Sequence, residues 1–458
     1  MRFFLLTLIL SLLAACGKRV PAPRVEILPQ QPAAFWVWHR SSPLTAEEIA
    51  SLEAAGTTEL FWQAVETGWK DGRWQSARIA EPMAAVPDVT IIPVFRIKPD
   101  AAFLGDPAAA ATFARMVRLW TGDTSIPEIQ LDFDCPDRLL AAYGGFLQSV
   151  AGELPGTRIS ITALASWPRS PQFAKLARSV HRMAPMFYDL HPDKPEDVVK
   201  GSFRPIADGE DIALVKAWRS CPVPWHAGLP NFERVTVFRP DGKLAGHLRG
   251  WDHDAVFFNP ALKAEPLGGG VTRFVVTADT TISGNPVAAG SILCHRAPDP
   301  DSLAALGEAA RTHGASGMLY FTLPGPGIQA THPAPHFSES TAVRPELTIL
   351  LDGSIRLTNA GTDGIPPRPC DPENPASPGW HVVIESSSVG AFRSGSTGDF
   401  PKISVPGNVP PEMSTRLHLH FSKLPPGGSL TSGPLLKAPG EVTWSLEPHV
   451  SGRSVKFP

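Results

Sequence analysis

Cysteine is scarce in this chain, with five in 458 residues, at positions 16, 135, 221, 294 and 370. They lie far apart and none has the CxxC spacing of a zinc site, which excludes a Cys-ligated metal domain. The sequence leaves open which of them pair. Net charge is also small, −3, so the electrostatic footprint of a nucleic-acid binder is missing. Long apolar runs are absent apart from Phe3–Leu13, which is too short to span a bilayer comfortably. No glycine-rich phosphate loop follows the first expected strand, which disfavours a Rossmann-type sheet. Asp132, Asp134 and His226 could in principle bind a metal, but nothing has ligand spacing, so neither metal nor cofactor is expected. Proline, by contrast, is abundant at 49 residues, which suits a loop-rich exported protein.

The first residues read as a processing signal. Met1-Arg2 supplies positive charge, Phe3–Leu13 the apolar core, and Leu13-Ala14-Ala15-Cys16 closes it. That ending resembles the lipobox of bacterial lipoproteins. The resemblance implies cleavage before Cys16, lipidation of Cys16 and a membrane anchor. With Gly17 following, it implies the outer membrane of a bacterial envelope. The alternative is an ordinary secretory signal with a chance cysteine. Residues 1–15 are thus the expected signal peptide and 16–33 the anchor and a flexible, proline-rich tether.

From residue 34 one unit recurs: an apolar β run, a polar loop, a helical stretch. Strands are expected at Phe35–His39, Thr58–Gln63, Thr90–Arg96, Glu128–Phe133, Arg158–Ala163, Arg182–Tyr188, Pro222–Ala227 and Gly317–Thr322. Most are apolar almost throughout, as strands buried on both faces should be. Thr45-Ala46-Glu47-Glu48 fits a capping box, and Asp137 a helix N-cap before the stripe Leu140, Tyr143, Leu147 and Val150. Eight-fold alternation predicts an α/β fold, a (β/α)8 TIM-like barrel over 34–343. A β-rich insert at about 233–296 interrupts it before the last helix, with hairpin-like runs at Arg273–Thr277 and Ser291–His295. Residues 344–458 carry only short β runs between Pro, Gly and Ser, which predicts a small sandwich-like all-β domain. Trp380 and Trp444 are its only candidate aromatic platforms, so bracing the barrel is the favoured role.

The most informative stretch is Ile129-Gln130-Leu131-Asp132-Phe133-Asp134-Cys135-Pro136. Side chains alternate across a strand, so Asp132 and Asp134 project to the same side. On the inner wall of a barrel they would sit together and raise one another's pKa. The bland reading is a structural pair bonding loop amides. Catalytic groups of such barrels come from strand C-terminal ends. Those ends and the loops after them offer Trp38, His39, Trp62, Gln63, Glu66, Arg96, Thr162, Trp167, Tyr188, Asp189, His226 and Tyr320. Flat aromatic faces backed by carboxylates and amides suit sugar rings.

Several blocks resemble the bacterial domain of unknown function 3142: Phe35-Trp36-Val37-Trp38-His39-Arg40, Phe61-Trp62-Gln63, the Asp132 stretch, Ser160–Trp167 and Met183–Tyr188. That family is grouped with glycoside-hydrolase-like barrels. A more distant likeness is to family 18 glycoside hydrolases, which carry DxxDxDxE at the fourth strand and Met-x-Tyr-Asp at the sixth. Met186-Phe187-Tyr188-Asp189 matches the second motif, and Asp132-Phe133-Asp134 the centre of the first. Pro136 stands where the family places its acid glutamate, so the mechanism does not transfer intact.

Three functions follow. The first is a glycoside-hydrolase-like envelope lipoprotein acting on a carbohydrate polymer. There Asp134 is general acid, Asp132 tunes it, and Glu66 or Asp189 is the second carboxylate. Trp38, His39, Trp62, Gln63, Arg96, Thr162, Trp167, Tyr188, His226 and Tyr320 would contact substrate. The second is a non-catalytic glycan binder on a degenerate barrel, and the third a scaffold lipoprotein. The expected partners are a carbohydrate ligand and, through the lipid, a membrane.

Overall fold

An apolar run with both faces buried is satisfied inside a parallel sheet covered on both sides. The computed structural model closes eight such runs into one ring. They are β1 (Ala33–Val37), β2 (Glu59–Lys70), β3 (Thr90–Ile97), β4 (Glu128–Asp132), β5 (Arg158–Leu164), β6 (Arg182–Met186), β7 (His226–Pro230) and β8 (Gly317–Phe321). Closure is visible at Trp36, which lies opposite Phe61 of β2 and Phe321 of β8. The structure describes residues 33–40, 42–80, 85–122, 126–325, 329–337, 342–369, 379–437 and 442–447. The expected signal and anchor segment with Cys16, and Cys370, lie outside them.

The helices are α1 (Ala46–Ala54), α2 (Ala109–Thr121), α3 (Leu140–Glu153), α4 (Phe173–Ala177), α5 (Pro195–Lys200), α6 (Gly209–Ala217), α7 (His253–Phe257) and α8 (Pro300–Thr312). Thr45 and Glu48 form the expected capping box on α1. Asp137 is not an N-cap; a 3-10 turn, Asp137–Leu139, leads into α3 instead. The alternation is also incomplete. Between β2 and β3 the described chain returns as an antiparallel strand, Arg73–Ile79, paired along the long end of β2. Polar Lys70-Asp71-Gly72-Arg73 makes the hairpin, with Asp71 and Gly72 both at positive φ.

Strand alternation sorts the side chains. Ala34, Trp36, Phe61, Ile92, Val94, Ala184 and Leu319 pack inside the ring. The Trp36 indole N–H donates to Gln130 Oε1 at 2.8 Å across the barrel floor. A Cβ at position 228 would lie 2.9 Å from the Trp36 ring, so Gly228 is what admits it. On the outer face Phe103, Phe113, Phe133, Tyr143 and Phe146 join edge to face under α2 and α3.

Strand β7 corrects an expectation. The run Pro222–Ala227 is not the strand; it begins at His226 and continues to Pro230. Prolines 222 and 224 lack the N–H that a ladder needs. His226 therefore stands at the closed N-terminal end of the barrel, 3.3 Å from Arg182, in a network with Glu59 and Glu128. Burial and Arg182 push its pKa down to about 4.

Between β7 and α8 an antiparallel five-stranded sheet is inserted, including Arg234–Phe238, Val271–Val276 and Ile292–Arg296. Glu233 stands where the chain enters it from β7 and ties parts of the insert together. The carboxylate is fully buried and meets His253 Nε2 at 2.6 Å and His295 Nε2 at 2.9 Å. After β8 come a 3-10 turn, Ala334–Phe337, and two antiparallel sheets that share one core, with Leu347, Ile355 and Leu357 facing Val382, Ile384, Leu417 and Leu419. This is a sandwich. Trp380 and Trp444 are buried in or against that core and offer no exposed platform. Its strand Ser429–Pro434 escapes the sequence reading because Ser, Thr, Gly and Pro dominate it; it is an edge strand, where such residues are tolerated.

Burial works against the Glu233 charge, but His253 and His295 hold its pKa below the ordinary 4.5, at about 2. Its contribution to stability is therefore intact above pH 4.5 and is lost as pH falls toward 2. Glu233→Ala is expected to destabilise the protein by about 3–5 kcal/mol, the cost of stripping one partner from a buried pair. Urea denaturation at neutral pH measures it, and an effect below about 1 kcal/mol would refute the assignment.

Candidate active site

The site begins at the end of β4. Phe133 turns outward, 5.0 Å from the ring of Phe103 and 5.3 Å from that of Tyr143. Cys135 is buried in the same outer core. Anchoring these alternate residues sends Asp132 and Asp134 inward together, as period-two geometry demands. Arg96, at the end of β3, bridges them. Its Nη1 donates to Asp132 Oδ2 at 2.9 Å and its Nη2 to Asp134 Oδ2 at 2.7 Å. Thr162 of β5 donates its hydroxyl to the other Asp132 oxygen at 2.7 Å.

The two acids differ in environment. Asp132 has 5 % of its side chain exposed, Asp134 37 %. Burial raises the Asp132 pKa; Arg96 opposes the shift and neighbouring Asp134 adds to it. Burial works against the Arg96 charge, yet the two carboxylates raise its pKa and hold it as a cation.

Above this cluster opens a cavity of about 660 Å³. Trp36 floors it, and Trp38, Tyr188 and Phe321 form an aromatic wall. Tyr188 lies stacked on Phe321 at 6.0 Å, and Trp38 meets Phe321 edge-on at 5.7 Å. Burial and the charges of Asp132 and Asp134 raise the Tyr188 phenol well above its ordinary value, so it stays a neutral hydrogen-bonding group. Facing it are Ser166 and Arg169 after β5, His191 after β6, and Glu210 and Leu214 on α6.

Seven of the expected residues gather at this cavity: Trp38, Arg96, Asp132, Asp134, Thr162, Tyr188 and Asp189. Asp189, at φ 54°, is bound in a fork by Arg234 at 2.7 and 2.8 Å. Burial pushes its carboxyl up, but Arg234 prevails and lowers it.

The others lie elsewhere. Trp62 packs outward with Phe35, Val37 and Leu52 of α1. Tyr320 also faces outward, its ring 3.8 Å from that of Phe337. Both are set by parity, since Gln63 and Phe321 beside them face the interior. Trp167 is fully buried behind β4, donating to Cys135 O at 3.2 Å. Gln63 is buried and accepts from the His39 backbone N–H at 3.0 Å. His39 is exposed and outside the cavity. Glu66 lies inside the extended β2, 4.0 Å from Lys98 Nζ, and does not line it either. His226 is at the opposite end of the barrel. Among the residues that the sequence pattern does not single out, Trp36 and Phe321 follow from the same period-two count that places Trp38. Arg169, His191 and Glu210 come from loops and a helix start, where no period applies.

Cys135 is a free thiol, and burial with Asp137 nearby pushes its pKa up to about 12. It is inert and turned away from the acids.

Residues 87–239 match the family model described as Domain of unknown function (DUF3142). The match runs from just before β3 to the first strand of the insert, so it contains Arg96, Asp132, Asp134, Thr162 and Tyr188. The blocks at 35–40 and 61–63 fall outside it. No curated protein matches the chain. Among solved structures it is similar to the spore cortex-lytic enzyme SleL of Bacillus megaterium QM B1551, at 14% identity over 67% of this chain and 72% of that chain, TM-score 0.46. It is also similar to chitinase ChiA74 from Bacillus thuringiensis, at 11% identity over 91% and 100% of the two chains, TM-score 0.43. A family GH18 chitinase from Chromobacterium violaceum gives 12% over 93% and 91%, TM-score 0.40. Scores of this size carry no chemistry from those enzymes to this chain.

Replacing Arg96 by Met would leave Asp132 buried against Asp134 with no counter-charge. The expected outcome is a rise of about one pH unit or more in the Asp132 titration, read by carboxyl 13C NMR. An unchanged titration would show that Arg96 does not govern the pair.

Proposed function

We propose that the cavity binds a carbohydrate, and that the protein is a glycan-binding lipoprotein of the bacterial envelope built on a glycoside-hydrolase-like barrel. The observation that carries this reading is the aromatic wall of Trp38, Tyr188 and Phe321 above the Arg96–Asp132–Asp134 cluster. Ring faces take up the C–H faces of a pyranose, while fixed carboxylate and guanidinium groups meet its hydroxyl edges. The cavity is large enough for a few sugar rings.

Binding is favoured over hydrolysis by the state of the acids. A glycosidase needs a proton donor and a second carboxylate across the scissile bond. Here Asp134 is engaged by Arg96, Asp189 by Arg234 and Glu210 by Arg204. Pro136 occupies the position of the family 18 acid. Hydrolysis is the second reading, favoured by the exposure of Asp134 to the cavity beside a carboxyl whose pKa is raised. In that reading Asp134 is the general acid.

Titrating the full chain with a panel of envelope and plant glycans separates the two. Saturable binding without turnover, weakened about tenfold or more by Trp38→Ala, is the expected result. Turnover abolished by Asp134→Asn would replace binding by hydrolysis, and the absence of binding to every glycan would end both readings. The anchor is tested separately: Cys16→Ser is expected to move the protein from the membrane to the soluble fraction. Retention of that variant on the membrane would remove the lipid from the proposal.

A further inference from the structure

Among the described residues outside the cavity, the most concentrated set of metal-ligating side chains is His332, His336 and Asp363. The two histidines lie four residues apart, in the chain that leaves β8, and Asp363 lies on a loop of the sandwich. One ligand atom from each falls within 4.8 Å of the other two. We propose that these three residues form a binding site for a divalent transition-metal ion of the zinc type, which staples the end of the barrel to the sandwich.

His332 and Asp363 are each fixed in place by hydrogen bonds to a neighbouring asparagine. The backbone of His332 is clamped on both sides by one residue. Its N–H donates to Asn231 Oδ1 at 3.0 Å, and its carbonyl accepts from Asn231 Nδ2 at 3.1 Å. Asn231 directly follows β7, so the clamp fixes the histidine to the barrel. On the other side Asn359 Nδ2 donates to the Asp363 carbonyl at 2.7 Å, and the Gly364 N–H to its Oδ1 at 2.7 Å. A backbone held in this way lowers the cost of ordering a site on binding.

A purely structural account covers only part of the cluster. His336 Nδ1 and Asp363 Oδ2 are 2.6 Å apart, a hydrogen bond that explains those two residues. It does not explain His332, which is 5 % exposed and has a buried Nδ1 with no hydrogen-bond partner. An orphaned buried nitrogen is costly unless something occupies its lone pair. Burial disfavours a charged imidazole, and the neutral ring is the form that ligates a metal. Two imidazoles and a carboxylate are a donor set suited to zinc.

The geometry requires a defined adjustment. Zinc bonds of about 2.0–2.2 Å place tetrahedral ligands roughly 3.4 Å apart, so a pair at the 4.8 Å limit must close by about 1.4 Å. The two imidazoles stack at 3.7 Å and 9°, and one ring must turn to bring both lone pairs onto the ion. The ion would take the place of the hydrogen bond between His336 Nδ1 and Asp363 Oδ2. The side chains of His336 and Asp363 are 29 % and 13 % exposed, which leaves a solvent-facing fourth position for water.

The test is titration of the chelator-stripped full chain with Zn2+ by calorimetry and with Co2+ by visible absorption. One ion per chain is expected, with the ligand-field spectrum of a tetrahedral Co2+ site. His332→Ala and Asp363→Ala are each expected to weaken binding by about tenfold or more. The thermal midpoint should rise with Zn2+ in the wild type and not in the His332→Ala/His336→Ala variant. Equal uptake by wild type and double variant would overturn the site. Should the variants not fold, the wild-type Co2+ spectrum decides alone, since its absence would also overturn it.

Discussion

The constraint on which the mouth of the barrel depends is that two carboxylates leave one strand on the same face and must be compensated. Asp132 is almost wholly removed from water, and an isolated ionised carboxylate there would be untenable. Arg96 meets this demand in a single side chain, because a planar guanidinium can donate to both acids at once. Thr162 satisfies the remaining Asp132 oxygen. Strands β3, β4 and β5 are thereby tied together at their C-terminal ends, and the cavity above them inherits a fixed pattern of charge. Compensation of this kind holds both acids in fixed positions at the cavity.

The same alternation that pairs the acids organises the rest of the barrel. Trp36, Phe61 and Leu319 fill its interior, while Phe35, Trp62 and Tyr320 seal β1, β2 and β8 against α1 and the 334–337 turn. One face is an enclosed core and the other a helix-packing surface, and each aromatic residue belongs to one or the other according to parity. At the opposite end Arg182, Glu59 and Glu128 close the ring with a paired charge network beside His226, and none of the four lines the cavity. A polar residue on a barrel strand therefore does not by itself belong to the mouth.

Much of this is legible in the sequence. Period-two reasoning places Asp132 and Asp134 correctly, and the strand ends point to Arg96, Thr162 and Tyr188 from residue pattern alone. Where the pattern misleads, the reason is physical. Trp62 and Tyr320 sit close to strand ends and so resemble mouth residues, although they neighbour inward-facing residues and must face out. The His226 strand is displaced because an apolar stretch with two prolines imitates a ladder segment that proline cannot join. Glu66 is lost to the mouth because β2 runs on into a hairpin. Arg169, His191 and Glu210 are invisible because loops and helix starts carry no periodicity.

The sequence by itself determined the barrel, the insert and the all-β tail, because buried parallel strands, helices and turns each demand a residue pattern of their own. It also determined that the two acids share a face, since that follows from the pitch of a single strand. Only the tertiary structure decided which charges meet. Arg96 with Asp132 and Asp134, Arg234 with Asp189, and His336 with Asp363 join residues 27 to 45 positions apart in the chain. Their encounter depends on the register of neighbouring strands and the course of loops, and no local pattern encodes either.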